Sequence, residues 1–484
     1  MSSLQKITIS SVKWTTVQTV IVGIIGPISL VIKSRFLSPE EFAYVAIISI
    51  IISLFHLLES FGISQAIIQR DNITQQESSS LFFFNIFYCA ILAGALFLLS
   101  PIIAELFSLP KLTSYLPVVS VIVFLTGPSL LFRAFLEKNM GFKNLSLIAI
   151  TRNILTLTTL TILLVLGFGV MGFVIGQIVG SLFATLSIIY VAILSKSVRL
   201  SIYFKPKEIL PFLRFGVYVS LKQLLTFIAH RADELLIGYL LSPDILGIYH
   251  FGKSMLEKLR SLITNSFGKV LFPVLSKLKH NDKKLSEAYQ RISRYIAFGA
   301  FPVFAGISVT AHLFVPLIFG EQWLDSVLVF QVFSIAMIFI VMTANVSTAL
   351  LFAVNKPKEV FYIDVVTIIV YFISLSLFAS LGIKAILVTY TGYIIFKTII
   401  LQYFTNKQLL QSFHSYVKGL SVPVFSTLFM VSVVLMVQFF TSSLMGPLML
   451  MTISMLIGGL SFLIITKYLD PQVINEFRGH ILKS

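Results

Sequence analysis

The chain has 484 residues, 57% of them hydrophobic and only 12% charged, and its Lys and Arg exceed Asp and Glu enough to give a formal charge of +16. That composition, with a mean hydropathy of +0.95, leaves a soluble globule uncovered but suits a helical bundle whose outside faces acyl chains. It also excludes a nucleic-acid role, because the basic residues are dispersed between apolar windows with no aromatic-lined groove for bases.

The N-terminus carries Lys6 and Lys13 ahead of a long apolar segment without a small-residue cleavage signature, which predicts a retained first helix and no removed signal peptide. From there, windows near 14–32, 42–66, 80–104, 113–133, 148–167, 171–194, 209–240, 244–273, 295–319, 326–353, 361–381, 385–405, 417–440 and 445–467 have the length that one helix needs to cross a bilayer. The expected fold class is all-α, a polytopic membrane protein of about 14 transmembrane helices. Asn153 to Ser195 and Gly419 to Thr466 hold no Asp, Glu, Lys or Arg, and each breaks near its centre, at Gly167-Phe-Gly169 and Thr441-Ser-Ser-Leu-Met-Gly446. Both read as helical hairpins lying wholly in lipid. The single cysteine, Cys89, falls in an apolar window, so one chain forms no disulfide framework.

With the N-terminus cytoplasmic, most of the 36 Lys and Arg fall in the tails and in the loops from even to odd spans. This asymmetry predicts a multi-pass protein of the cytoplasmic membrane with both termini inside. Basic stretches such as Lys196 to Arg214 and Lys269 to Arg294 then serve topogenesis and anionic-lipid contact. The opposite loops are a few residues long, which leaves no room for an outward catalytic or receptor domain.

The turn Leu37-Ser-Pro-Glu-Glu41 before the second span reappears as Leu241-Ser-Pro-Asp-Ile245 before the eighth. Both offer Ser as N-cap, Pro at the first helical position and an acidic residue at the positive end of the dipole, with Glu41 completing a capping box. Ser100-Pro-Ile-Ile corresponds with Val315-Pro-Leu-Ile, and Glu137-Lys-Asn with Val354-Asn-Lys. An even number of spans separates the copies, so the repeat is parallel. The chain reads as two six-helix lobes plus a C-terminal hairpin: 1–195, a cytoplasmic linker 196–208, 209–405, and hairpin and tail 406–484. Two parallel halves rocking about a midplane site are the architecture of alternating access.

Charge enters the interior in the seventh and eighth spans, at Lys222, Arg231, Asp233, Glu234, Lys253, Glu257, Lys258 and Arg260. Such residues are costly in lipid and need an aqueous cavity or partners. On the eighth span, His250, Lys253, Glu257, Arg260 and Thr264 follow three- and four-residue steps, so they form one polar stripe. Lys222 and Asp233 share nearly one face of the seventh, and Arg231 points roughly opposite to Lys222. Arg231 with Glu234 and Lys253 with Glu257 have spacings that also allow simple mutual neutralisation. Cations still exceed anions, which suits an anionic headgroup: Lys222, Arg231, Lys253 and Arg260 are the candidate substrate-binding residues. Asp233 and Glu257 are the candidate coupling groups for H+ or Na+. His56, Glu59, His312 and Asp364 receive no chemistry, and snorkelling accounts for Lys397. No metal site or cofactor is expected, and no Gly-x-x-x-x-Gly-Lys-Ser/Thr run offers an ATP site.

Arg35-Phe-Leu-Ser-Pro-Glu-Glu-Phe, continuing to Phe61-Gly-Ile-Ser-Gln-Ala-Ile-Ile-Gln-Arg70, resembles the start of the Wzx-type polysaccharide flippases. Arg231-Ala-Asp-Glu-Leu-Leu-Ile-Gly238, Leu271-Phe-Pro-Val-Leu-Ser276 and Phe319-Gly-Glu-Gln-Trp323 resemble the branch containing the colanic-acid and teichuronic-acid exporters. The resemblance implies the multidrug/oligosaccharidyl-lipid/polysaccharide superfamily and two V-arranged lobes in a bacterial inner membrane. It also implies a flippase, not an enzyme, that translocates undecaprenyl-diphosphate-linked oligosaccharide repeat units for export, with polymerase machinery as a partner. In that branch Asn is usual after the Arg and Asp matched by Arg231 and Asp233; here Glu234 replaces it. The rival readings are a cation-coupled drug antiporter, which the cationic surplus disfavours, and a membrane polysaccharide polymerase or ligase, which the short outward loops disfavour.

Overall fold

The computed structural model describes residues 3–70, 72–195, 198 and 200–471, and every element in them is helical. The α-helices are α1 (Ser3–Phe36), α2 (Pro39–Ser60), α3 (Ile63–Gln69), α4 (Gln75–Leu106), α5 (Leu112–Lys138), α6 (Phe142–Val165), α7 (Gly169–Leu194), α8 (Pro206–Leu240) and α9 (Pro243–Leu278). They continue with α10 (Asp282–Phe314), α11 (Val327–Ile340), α12 (Thr348–Ala353), α13 (Pro357–Phe378), α14 (Ile383–Gln408), α15 (Phe413–Gly419), α16 (Ser421–Thr441) and α17 (Pro447–Leu469). Twelve helices among the described residues are long and apolar enough to cross a membrane, so the chain is a multi-pass membrane protein. The two others that the sequence reading counts as spans, α8 and α9, are 35 and 36 residues long but carry the interior charges, and they fall outside that set.

Helix starts follow the sequence chemistry. Ser38 Oγ accepts from the Glu41 amide at 3.2 Å while Glu41 Oε2 accepts from the Ser38 amide at 2.9 Å, a reciprocal capping box that opens α2. Thr74 and Glu77 repeat the device on α4. Pro243 opens α9 as Pro39 opens α2. The turns joining α6 to α7, α8 to α9, and α16 to α17 are short, as expected.

Two loop expectations are corrected, the first because the stretch Lys196 to Arg214 becomes helical at Pro206, where α8 starts. Lys269 to Arg294 is not a loop: α9 runs on to Leu278 and α10 starts at Asp282, so only a tight turn separates them. Asn281 Oδ1 accepts from the Lys284 amide at 3.0 Å and caps α10. The basic residues of this region ride on helical extensions, where long side chains reach water without unwinding the backbone. Lys196, Arg199 and the tail after Pro471 lie outside the described residues.

The residues form two compact units, Met1–His250 and Phe251–Ser484. In the first, Ile67, Leu81, Ala134 and Phe212 centre a core that joins α3, α4, α5 and α8. Gly62 and Gly216 let the α2–α3 turn touch the α8 backbone: a Cβ on Gly216 would lie 2.1 Å from the Phe61 carbonyl oxygen. In the second, Phe251, Phe319, Trp323 and Phe330 form an aromatic core, with Phe251 and Trp323 centroids 4.1 Å apart and Trp323 fully buried. The Phe319-Gly-Glu-Gln-Trp323 motif thus works in packing. Its Gly320, at φ 111°, makes a bend that other residues rarely adopt.

Candidate functional site: a charged hairpin end

The end of α8 and the start of α9 fold back on each other about Leu241 and Ser242. This register sets residues sixteen apart face to face. Asp233 and Glu234, two adjacent buried carboxylates, therefore meet Tyr249 and His250. The Tyr249 hydroxyl donates to Asp233 Oδ2 at 2.6 Å, and the Glu234 amide donates to Asp233 Oδ1 at 2.9 Å. Arg231 Nη1 donates to Glu234 Oε1 at 2.8 Å, and His250 Nδ1 lies 2.7 Å from Glu234 Oε2. Both Glu234 oxygens are thus engaged, and its side chain is 0% exposed. Arg231, with 27% of its side chain exposed, is the member of the cluster with the most access to the surroundings.

The predicted residues separate accordingly. Arg231 and Asp233 join this cluster, Arg231 through the Glu234 carboxylate and Asp233 through the Tyr249 hydroxyl and the Glu234 amide. Of the two neutralising pairs, Arg231–Glu234 is formed. Lys222 is exposed further back on α8. In the second unit, Lys253 is fully buried on α9, while Glu257 and Arg260 are half-buried further along the same helix. No three His, Cys, Asp or Glu among the described residues converge as a metal site.

Tyr249 escaped the sequence reading, although the signal was available. A two-residue turn fixes which residues oppose one another across the hairpin, and a buried aspartate needs a donor there.

Two further charged groups lie elsewhere. Glu59, at 1% exposure on α2, accepts from the Thr126 hydroxyl of α5 at 2.7 Å, and its Oε2 lies 3.1 Å from His56 Nδ1. Its Oε1 has no hydrogen-bond partner among the described residues. On the second unit, Lys397 donates to Asp364 at 2.8 Å.

Comparison with known proteins follows the same line. The family described as polysaccharide biosynthesis protein matches residues 32–328. The chain is 27% identical to the lipopolysaccharide biosynthesis protein WzxC of Escherichia coli (strain K12), over 68% of this chain and 66% of that one. It is 25% identical to the teichuronic acid biosynthesis protein TuaB of Bacillus subtilis (strain 168), over 98% of each. Among solved structures, it shares the fold of the lipid II flippase MurJ in an inward closed conformation: TM-score 0.78, 16% identity, 95% of this chain and 99% of that one. An inward-facing multidrug resistance MATE family transporter matches at TM-score 0.55 and 15% identity, over 82% of this chain and 96% of that one. An all-helical multi-pass fold and a family match over more than half its length place this chain in the polysaccharide biosynthesis protein family.

Proposed function

We propose that the chain is a flippase that carries an undecaprenyl-diphosphate-linked oligosaccharide, its diphosphate and sugar forming the headgroup, across the bacterial cytoplasmic membrane for polysaccharide export. The observation that carries this reading is the buried Arg231–Glu234–His250 cluster at the end of a helix hairpin in an otherwise apolar multi-pass protein. Family membership supports the same substrate class. An unshielded diphosphate crosses hydrocarbon only at prohibitive cost, so the protein's task is to supply polar partners along the way. The protein is a carrier and not an enzyme.

Arg231 serves the headgroup by exchange. A diphosphate approaching from its exposed side competes with Glu234 for the guanidinium, while His250 stays on the second carboxylate oxygen, so Glu234 is not left bare. Lys222, Lys253 and Arg260 add charge along α8 and α9. Asp233 and Glu257 are the groups through which H+ or Na+ drives the cycle. The repeated helix starts at Pro39 and Pro243 support the two-lobe plan, with lobes 1–195 and 209–405, a linker 196–208 and a hairpin and tail 406–484. Polymerase machinery takes up the exported units, and both termini lie inside.

Proteoliposomes holding a labelled lipid-linked oligosaccharide test this. The full chain should expose the sugar to an outside reagent without lengthening it. Joint Lys222→Gln and Arg260→Gln substitutions should slow exposure about tenfold or more, the factor lost with about 1.4 kcal/mol of headgroup attraction. Normal rates in that variant would remove these cations from the path, and growth of the glycan would make the protein a polymerase.

A further inference from the structure

A groove of about 540 Å³ runs between α13 and α14, two helices of the apolar set. Val370, Phe378, Val388 and Phe396 form exposed walls. Tyr371 and Tyr393, stacked at 4.5 Å, also line it. Ser374 and Thr389 turn their hydroxyls back on their own helices: Ser374 donates to the Val370 carbonyl at 2.8 Å and Thr389 to the Ala385 carbonyl at 2.8 Å. With those two protons spent, and with aliphatic side chains and aromatic rings making up most of the remaining lining, the body of the groove asks for an apolar occupant. Water finds few partners in such a hollow, and hydrocarbon does not leave one empty.

Length selects the occupant. From Lys384 to Phe396 a helix rises about 18 Å, close to half of the ~30 Å hydrocarbon thickness. One acyl chain of a single leaflet fills that length, whereas a polyprenyl tail would leave most of itself outside. Lys384 is exposed at the start of α14 and is the charged residue lining the groove, at the end where a headgroup would sit. Among the described residues, no carboxylate lines the groove to oppose an anion. We propose that this groove is a binding site for an anionic phospholipid, with one acyl chain laid between α13 and α14 and the phosphate on Lys384.

Gly392 provides the test, because a Cβ built there meets nothing within 4 Å. The full chain is reconstituted with phosphatidylglycerol or phosphatidylcholine carrying a photoactivatable acyl chain, and cross-linked peptides are mapped. Phosphatidylglycerol should label α13–α14 at least fivefold more than phosphatidylcholine does, while α16–α17, an ordinary lipid face, shows no such preference. Gly392→Leu fills the hollow and should cut α13–α14 labelling at least fivefold without altering α16–α17 labelling, which also reports an intact fold. Lys384→Gln should keep the labelling but erase the preference for phosphatidylglycerol. Equal labelling of both hairpins, indifference to Gly392→Leu, or displacement of phosphatidylglycerol by undecaprenyl diphosphate at equal mole fraction would each overturn the proposal.

Discussion

Asp233 and Glu234 stand side by side in a buried position and stay tolerable there because each has its own donors. The Tyr249 hydroxyl donates to the Asp233 carboxyl group at 2.6 Å where both side chains are buried. Such a bond contributes about 1.5–3 kcal/mol. Tyr249→Phe keeps the ring and removes only that donor, so it should destabilise the protein by about that amount, seen as a lower thermal midpoint in detergent. Tyr239→Phe, at a position 60% exposed, should leave the midpoint unchanged. Equal midpoints for the two variants would mean that Asp233 is held by other means. At this scale the sequence displays charge better than pairing. Arg231 and Glu234 could be matched by their spacing along one helix and Tyr249 by the register of the hairpin turn, but Thr126, the donor to Glu59, lies 67 residues from it. Contacts of that kind are set by packing, which no local pattern encodes.

The repeated Leu-Ser-Pro turns behave as elements, and they also meet. Gly247, one turn into α9, rests against the start of α2, where a Cβ would lie 1.8 Å from the Pro39 carbonyl oxygen. Alanine normally favours a helix over glycine by about 1 kcal/mol. At Gly247 that gain is outweighed, because the obstacle is backbone that can yield only by moving the whole start of α2, and overpacking costs about 1–3 kcal/mol or more. Gly299, in the middle of α10, has open space where its Cβ would be. Gly247→Ala should therefore lower the thermal midpoint and Gly299→Ala should raise or keep it, a difference of sign that helix propensity alone does not give. Helix existence and capping were legible in advance from Ser38, Pro39 and Glu41, because caps are local chemistry. The close approach was not, since Gly247 looks like any other glycine in the sequence. Nor was the long reach of α9 and α10: a charge-rich stretch between apolar windows reads as loop, although Lys and Arg are good helix formers and can ride a helix beyond the membrane surface.

For the whole molecule, the prediction is that α8 and α9 cross the bilayer with the twelve apolar helices. Length permits it, since the 36 residues of α9 rise about 54 Å against a hydrocarbon core of about 30 Å. Composition alone resists it, and pairing of the interior side chains lowers that cost. If both helices cross, fourteen spans return the chain to its starting side. The turn at Ser242 then faces outward and the turn at His280 faces the cytoplasm. The native chain is a convenient background for testing this, because its one cysteine, Cys89, is buried. A membrane-impermeant maleimide on intact cells should label Ser242→Cys at once and His280→Cys only after the membrane is opened. Labelling of both, or of neither, would place the two turns on one side and lay α9 along the membrane surface. An α9 on the surface would hold Tyr249 and His250 beside water, so that outcome would remove the physical reason for pairing them with Asp233 and Glu234 of α8.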